Sequence, residues 1–211
     1  MKNTLLSFGH GYSARALARL LIPAGWNVIA TTRSAGDIAD CTDHIVWPGG
    51  DVSGALAQAT HILISIAPNE DGDLVLNALR EQIAQAAHIN WVGYLSTTGV
   101  YGDHHGEWVD ETTALTPTTR RGRLRVLAEA DWQKQDLSVH IFRLAGIYGP
   151  GRGPFAKVRN GTARRIIKPG QVFSRIHVDD IAQTLQSSIA RPNAGAIYNV
   201  CDDDPAPPED V

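Results

Sequence analysis

The sequence predicts an α/β fold in which a doubly wound parallel sheet lies between two layers of helices. Short apolar runs alternate with longer segments of helical periodicity along most of the 211 residues, a pattern typical of βαβ units. A glycine-rich turn joins the first apolar run to the first helical segment. The apolar runs are nearly continuous, as parallel strands that are buried on both faces require.

The composition excludes several classes of function. Hydrophobic residues make up 43% of the chain, enough for one core with a small appended lobe. The net charge of −3 comes without a basic block, so we expect no nucleic acid and no membrane as partner. No apolar run is long enough to span a bilayer, and we see no secretion signal. Cys41 and Cys201 fit no ligand spacing, which predicts a cytoplasmic protein with reduced thiols and no metal.

Residues 3–34 form the clearest βαβ unit. An apolar strand over residues 3–8 runs directly into a turn of the form Gly-x-Gly-x-x-Ala at residues 9–14. A helical segment follows and ends at residues 23–25, and a second apolar strand begins at Val28. A glycine turn placed between a strand and a helix is the context that predicts a dinucleotide site.

Each small residue of the turn has a physical reason. Gly9 permits a tight turn, Gly11 lets the backbone approach a pyrophosphate, and Ala14 allows close packing of the helix on the strand. The free N–H groups of the helix start then face the phosphates. The predicted cofactor-binding residues of this segment are Gly9, His10, Gly11, Tyr12, Ser13 and Ala14.

The end of the second strand selects the cofactor. An NAD site calls for an Asp or Glu about twenty residues after the glycine turn, to bind the ribose 2′-hydroxyl. Here the sequence reads Thr32-Arg33-Ser34, and no carboxylate follows before Asp37. An arginine between two hydroxyls suits a 2′-phosphate. We therefore predict NADP, with NAD as the alternative cofactor and a solvated surface arginine as the alternative interpretation of Arg33.

The remaining elements continue the alternation. The predicted strands cover residues 44–47, 61–67, 91–95, 139–144 and 196–200, with two more on either side of a turn at 168–171; the predicted helices cover residues 52–59, 74–87, 117–134, 155–160 and 178–190, and a loop covers 146–154. The carboxyl ends of parallel strands meet at one edge of the sheet. Ala67 and Ser96-Thr97-Thr98 are therefore expected beside the glycine turn.

Six segments, taken together and in order, resemble the extended short-chain dehydrogenase/reductase family, the NAD-dependent epimerases/dehydratases. The resemblance implies a single Rossmann-like domain over residues 1–211, with residues 146–177 and 191–211 contributing to a small C-terminal substrate lobe. It also implies that Ile147 lies in a cofactor-side loop and that a homodimer could form through the helix near residues 73–87. The acidic, proline-rich end stops where a helix would open, so we expect a truncated lobe. The segments are Gly9–Ala14, Leu95–Gly102, Val109–Glu111, Arg143–Gly151, Arg175–Ala182 and Tyr198–Val200.

The family's catalytic groups are a Ser or Thr, a Tyr and a Lys, with the last two four residues apart on one helix. The resemblance places Thr97 at the first position, Arg121 at the tyrosine and Arg125 at the lysine. An arginine stays protonated at neutral pH and cannot serve as the tuned acid. Arg125 could still hold a ribose or phosphate. Tyr101, or a histidine among His104, His105 and His177, is a candidate replacement for the missing proton donor.

Two functions stay open on the sequence alone. The first is an NADP-preferring epimerase/dehydratase-like oxidoreductase that acts on a small hydroxyl/carbonyl or nucleotide-sugar substrate. Arg152 and Arg175 would then face an anionic substrate, or would instead form surface or interdomain ion pairs. The second is a catalytically inactive NADP(H)-binding regulatory or sensor protein, favoured by the missing Tyr/Lys pair.

Overall fold

A seven-stranded, fully parallel sheet forms the centre of the molecule. The computed structural model describes residues 2–36, 38–164, 167 and 170–207. The strand order is β3-β2-β1-β4-β5-β6-β9, which confirms the predicted doubly wound arrangement. The strands are β1 Thr4–Phe8, β2 Asn27–Thr32, β3 Asp43–Val46, β4 His61–Ile64, β5 Trp91–Thr97, β6 Val139–Leu144 and β9 Ile197–Val200.

Helices cover both faces of this sheet. Side chains alternate across each strand, so Leu5 packs on one face and Leu6 on the other. Helices α2 (Ser53–Gln58), α3 (Leu74–Ala84) and α4 (Arg120–Gln133) supply the core on the Leu6 face. Helices α1 (Tyr12–Leu21) and α6 (Val178–Ala190) supply the core on the Leu5 face.

The order of the strands reverses between β1 and β4. Leu5 of β1 pairs with Val28 of β2 on one side and with His61 of β4 on the other. In open α/β sheets the ligand crevice lies at the carboxyl ends of the strands at such a reversal. The glycine turn follows β1 directly, so the topology places it at this crevice.

A second, two-stranded parallel sheet lies beyond β6. It pairs β7 (Gly146–Tyr148) with β8 (Arg175–His177), and α5 (Pro154–Arg159) lies between them in sequence. The predicted loop over residues 146–154 is therefore wrong at its start, because β8 supplies backbone partners that the local glycines do not reveal. Lys168 and Pro169 of the predicted turn lie outside the described residues.

Several boundaries differ from the prediction by a few residues, and two of them have a visible cause. Helix α4 begins at Arg120 rather than near Pro117, because the Thr119 hydroxyl accepts a hydrogen bond from the Gly122 N–H and caps the helix. Strand β4 ends at Ile64 rather than at residue 67, because its pairing with β1 ends at Phe8, where β1 enters the glycine turn. Within the described residues, no helix combines the length and apolarity needed to cross a bilayer.

Candidate dinucleotide site

The glycine turn has the backbone geometry that the sequence predicts. Gly9 has φ of +81°, and a Cβ there would lie 2.8 Å from Ile66 Cγ1, so only glycine fits. A Cβ at Gly11 would meet nothing nearer than the Gly9 oxygen at 3.9 Å, so the space in front of Gly11 is open. No side chain caps α1 at Gly11 and no acidic residue lies in its first turn. The N–H groups at the start of α1 are thus free to bind an anion.

The side chain of His10 points away from this open space. It is 6% exposed, with Nε2 2.8 Å from the Asp40 backbone oxygen and Nδ1 3.3 Å from Ser7 Oγ. Burial lowers the pKa of His10, which favours the neutral ring. Ser13 and Ala14 are also buried. His10, Ser13 and Ala14 therefore support the turn through packing, and only their backbone is available to a ligand.

Asp40 ties the loop after β2 to helix α1, a feature that the sequence reasoning missed. Its carboxylate accepts hydrogen bonds from Arg15 Nε at 3.0 Å and from Arg19 Nε at 3.2 Å. Burial alone would raise the pKa of Asp40, but the two arginines outweigh it and hold the pKa below its usual range. The sequence signal for this contact was the pair Arg15 and Arg19, which lie four residues apart and so share one face of the helix.

The end of β2 exposes its arginine. Arg33 and Ser34 are exposed, and no carboxylate among the described residues pairs with Arg33. The Thr32 hydroxyl lies 2.8 Å from the Ser34 backbone oxygen and 2.6 Å from His44 Nε2. Thr32 therefore organises the strand end, while the Arg33 guanidinium projects from it. His44 is a second residue of this corner that the sequence did not indicate.

The end of β5 brings Thr97 to the same edge of the sheet. Its Oγ1 accepts a hydrogen bond from the Gly99 N–H at 3.1 Å and caps the 3₁₀ turn Thr98–Val100. Since this bond uses an acceptor lone pair, the hydroxyl proton can still be donated to a ligand. Ser96 is buried and donates its hydroxyl proton to the Glu129 carboxylate. Of the other expected contacts at this edge, Ala67 is exposed and Ile147 is half-buried.

Tyr101 lies inside a buried polar network. It is 2% exposed, its hydroxyl donates to Asn199 Oδ1 at 2.8 Å, and it accepts from Arg143 Nη1 at 2.7 Å. Arg143 in turn pairs with Glu129 at 2.8 Å. The phenol thus has two protein partners, and its predicted role as a proton donor would require one of them to be exchanged for substrate.

The two arginines at the family's Tyr and Lys positions have different surroundings. Arg121 is exposed in the first turn of α4. Arg125 Nη1 donates to the Leu95 backbone oxygen at 2.7 Å and to the Tyr94 hydroxyl at 3.0 Å. Its guanidinium lies 5.4 Å from the centre of the Tyr94 ring. Arg125 is therefore held between α4 and the body of β5.

The two arginines expected at the substrate contact different residues. The Arg152 guanidinium carbon is 5.6 Å from the centre of the Tyr12 ring. Arg175 Nη2 lies 3.5 Å from the Asp204 backbone oxygen. Across the described residues, no group of three or more His, Cys, Asp or Glu side chains could hold a metal ion.

Comparison with known proteins places this geometry in a family. No protein-family model matches the sequence. Protein YeeZ of Escherichia coli K12 is 31% identical over an alignment of 213 residues, which covers 92% of this chain and 75% of YeeZ. A conserved protein of unknown function from Silicibacter pomeroyi is 61% identical, with a TM-score of 0.94 over 99% of this chain and 76% of its own.

Two further solved structures extend the comparison. A protein from Methylobacillus flagellatus, assigned to the NAD-dependent epimerases/dehydratases, is 26% identical with a TM-score of 0.73, over 99% of this chain and 78% of its own. MoeE5 in complex with UDP-glucose and NAD shares the fold at 20% identity, with a TM-score of 0.80 over 99% of this chain and 79% of its own. Our chain belongs to the NAD-dependent epimerase/dehydratase family, within the extended short-chain dehydrogenases/reductases.

Proposed function

We propose that the glycine turn of this protein binds NADP in preference to NAD. The observation that carries the preference is the exposed Arg33, which no described carboxylate neutralises, at the place where an NAD site would present an acid. A 2′-phosphate would gain charge-assisted hydrogen bonds from this guanidinium. His44 Nε2 lies 2.6 Å from the hydroxyl of Thr32, the residue before Arg33.

The reaction we propose is an NADP-dependent oxidation–reduction or epimerisation of a small hydroxyl/carbonyl or nucleotide-sugar substrate. When bound, the cofactor would supply the hydride chemistry, and the chain would position the substrate and exchange its proton. Thr97 supports this role, because its hydroxyl proton remains available at the sheet edge. That MoeE5 is solved with UDP-glucose and NAD favours a substrate of this class. The substrate lobe would consist of β7, α5, β8 and the segment after β9.

A second function, cofactor binding without chemistry, has its own support. The Tyr101 hydroxyl is engaged by Arg143 and Asn199, and Arg125 is held by Leu95 and Tyr94. Neither residue, in this arrangement, offers an acid to a substrate. A protein of this kind would report the NADPH level to a partner.

The experiment is a fluorescence titration of the purified protein with NADPH and NADH, followed by assays with a carbonyl panel and with UDP-sugars. Turnover of any substrate supports the oxidoreductase, and NADPH binding without turnover supports the regulatory protein. A protein that binds neither cofactor would overturn both proposals. Gly11→Val is the site variant, because the open space at Gly11 accepts a side chain where the pyrophosphate would lie. Gly54→Val, in open space on α2, is the matched control.

A further inference from the structure

Arg152 and Tyr12 bring the second, smaller sheet into contact with the glycine turn. The Tyr12 hydroxyl donates to the Pro150 backbone oxygen at 3.0 Å, and the Arg152 guanidinium carbon lies 5.6 Å from the centre of the Tyr12 ring. Tyr12 is the first residue of α1 and follows Gly11, the residue with open space in front of it. The turn after β7 therefore holds a cation beside the start of α1.

The backbone of that turn is shaped to fit Tyr12. Gly149 and Arg152 exchange backbone hydrogen bonds of 2.8 and 2.9 Å, which closes the turn. Gly149 has φ of +147°, and a Cβ there would lie 2.6 Å from the Tyr12 hydroxyl oxygen. Only glycine permits this approach. The position of Arg152 is thus set by this backbone turn as well as by its side-chain conformation.

Among the described residues, no carboxylate forms an ion pair with the Arg152 guanidinium. The start of a helix carries partial positive charge, so a nearby cation is unfavourable unless an anion lies between them. The first turn of α1 has no acidic residue. Asp179, whose charge acts on Tyr12, instead lies 3.6 Å from His177 Nδ1. An anion in front of Gly11 would satisfy both the helix start and the guanidinium.

We propose that Arg152 is a cofactor-binding residue that contacts the pyrophosphate of the dinucleotide, rather than a residue for an anionic substrate. This inference rests on the proposed dinucleotide site. The pyrophosphate oxygens accept hydrogen bonds from the N–H groups at the start of α1 on one side and from Arg152 on the other. The Tyr12 ring keeps the guanidinium over this position. Cofactor binding therefore also stabilises the contact of the 149–152 turn, and of the smaller sheet that it extends, with helix α1.

The test compares cofactor affinities of the wild-type protein, Arg152→Ala, Arg152→Lys and Arg159→Ala. Arg159 is an exposed arginine of the same α5 region and serves as the charge-matched control. We expect Arg152→Ala to weaken NADPH and NADH binding alike, by about tenfold, because both carry the pyrophosphate and one charge-assisted contact is lost. Arg152→Lys should recover part of the loss, and Arg159→Ala should bind as the wild type does.

The same titrations separate this inference from the proposed function. If the wild type binds no dinucleotide, the site itself is refuted and Arg152 with it. If the wild type binds NADPH and Arg152→Ala binds it equally well, only the assignment of Arg152 is overturned. If Arg152→Ala lost affinity only for UDP-glucose, Arg152 would be a substrate-binding residue and the inference would be overturned. A Tyr12→Phe variant, which keeps the ring but not the bond to Pro150, should lose less affinity than Arg152→Ala.

Discussion

The guanidinium of Arg143 and the carboxylate of Glu129 form an ion pair inside the protein. Arg143 Nη2 lies 2.8 Å from Glu129 Oε2, and each side chain is 3% exposed. Arg143 Nε lies 3.2 Å from the same oxygen, and Ser96 donates to Glu129 Oε1. Burial alone would lower the pKa of Arg143, but its bonds to Glu129 and Tyr101 raise it above its ordinary value. The pair therefore joins β6, α4 and the end of β5 in one hydrogen-bonded network.

Breaking this pair from one side should be costly. Arg143→Met leaves the Glu129 carboxylate buried and unpaired, and we expect a loss of about 3–5 kcal/mol in the free energy of unfolding. Adding Glu129→Gln removes the stranded charge and should restore part of that loss. Urea denaturation of the single and double variants measures both effects. Lys134→Met is the control, since its pair with Asp131 is exposed and should contribute less than about 1 kcal/mol. Equal losses for Arg143→Met and Lys134→Met would contradict the prediction.

Replacing Gly122 of α4 by alanine should lower the stability of the protein. In an exposed helix interior, alanine is usually more favourable than glycine by about 1 kcal/mol. Here a Cβ would lie 2.6 Å from the Gly99 oxygen and 2.8 Å from Pro117 Cβ, so α4 would have to move away from the 3₁₀ turn. We expect Gly122→Ala to lower the midpoint of thermal unfolding. Gly54→Ala in α2, where nothing lies within 4 Å, should leave the midpoint unchanged or raise it. A more stable Gly122→Ala variant would show that the contact with Gly99 is loose.

The strands of the main sheet and its parallel, doubly wound class could be predicted from the sequence, because their signals are local. A strand that is buried on both faces appears in the sequence as an apolar run. The glycine turn is recognised from Gly9, Gly11 and Ala14, which lie within six consecutive residues. The smaller sheet could not be predicted in the same way, since Gly146 and Arg175 pair across 29 positions and neither strand exceeds three residues. The network of Glu129 and Arg143 was also missed. Its one local signal was an arginine inside the buried strand Val139–Leu144.

Arg33 gives the cofactor preference a direct test. Arg33→Ala should weaken NADPH binding by roughly tenfold or more and change NADH binding little, because only NADPH carries the 2′-phosphate that the guanidinium would bind. Dissociation constants from fluorescence titration measure the effect. Arg80→Ala, at an exposed arginine of α3 away from the sheet edge, is the control. If Arg33→Ala weakened the binding of NADPH and NADH equally, Arg33 would not be the residue that binds the 2′-phosphate.

His61 should make the protein less stable in mild acid. The ring is 7% exposed, lies 4.7 Å from the Trp26 ring and 6.3 Å from the Trp91 ring, and has Nδ1 2.8 Å from Thr60 Oγ1. Burial lowers the pKa of His61 from 6.5 to about 4. Between these two pKa values the unfolded chain binds more protons at His61 than the folded protein does. A falling pH therefore favours unfolding.

The stabilisation by neutral His61 is complete above pH 6.5 and is lost as the pH falls towards about 4. The loss over that window should be roughly 3 kcal/mol, since each pKa unit corresponds to about 1.4 kcal/mol. Urea denaturation at several pH values measures the slope. His61→Asn should flatten it only in part, because burial also lowers the pKa of His10 and His140. His105→Asn, at an exposed loop position, should keep the wild-type slope. A His61→Asn slope as steep as that of the wild type would mean that His61 does not carry the pH dependence.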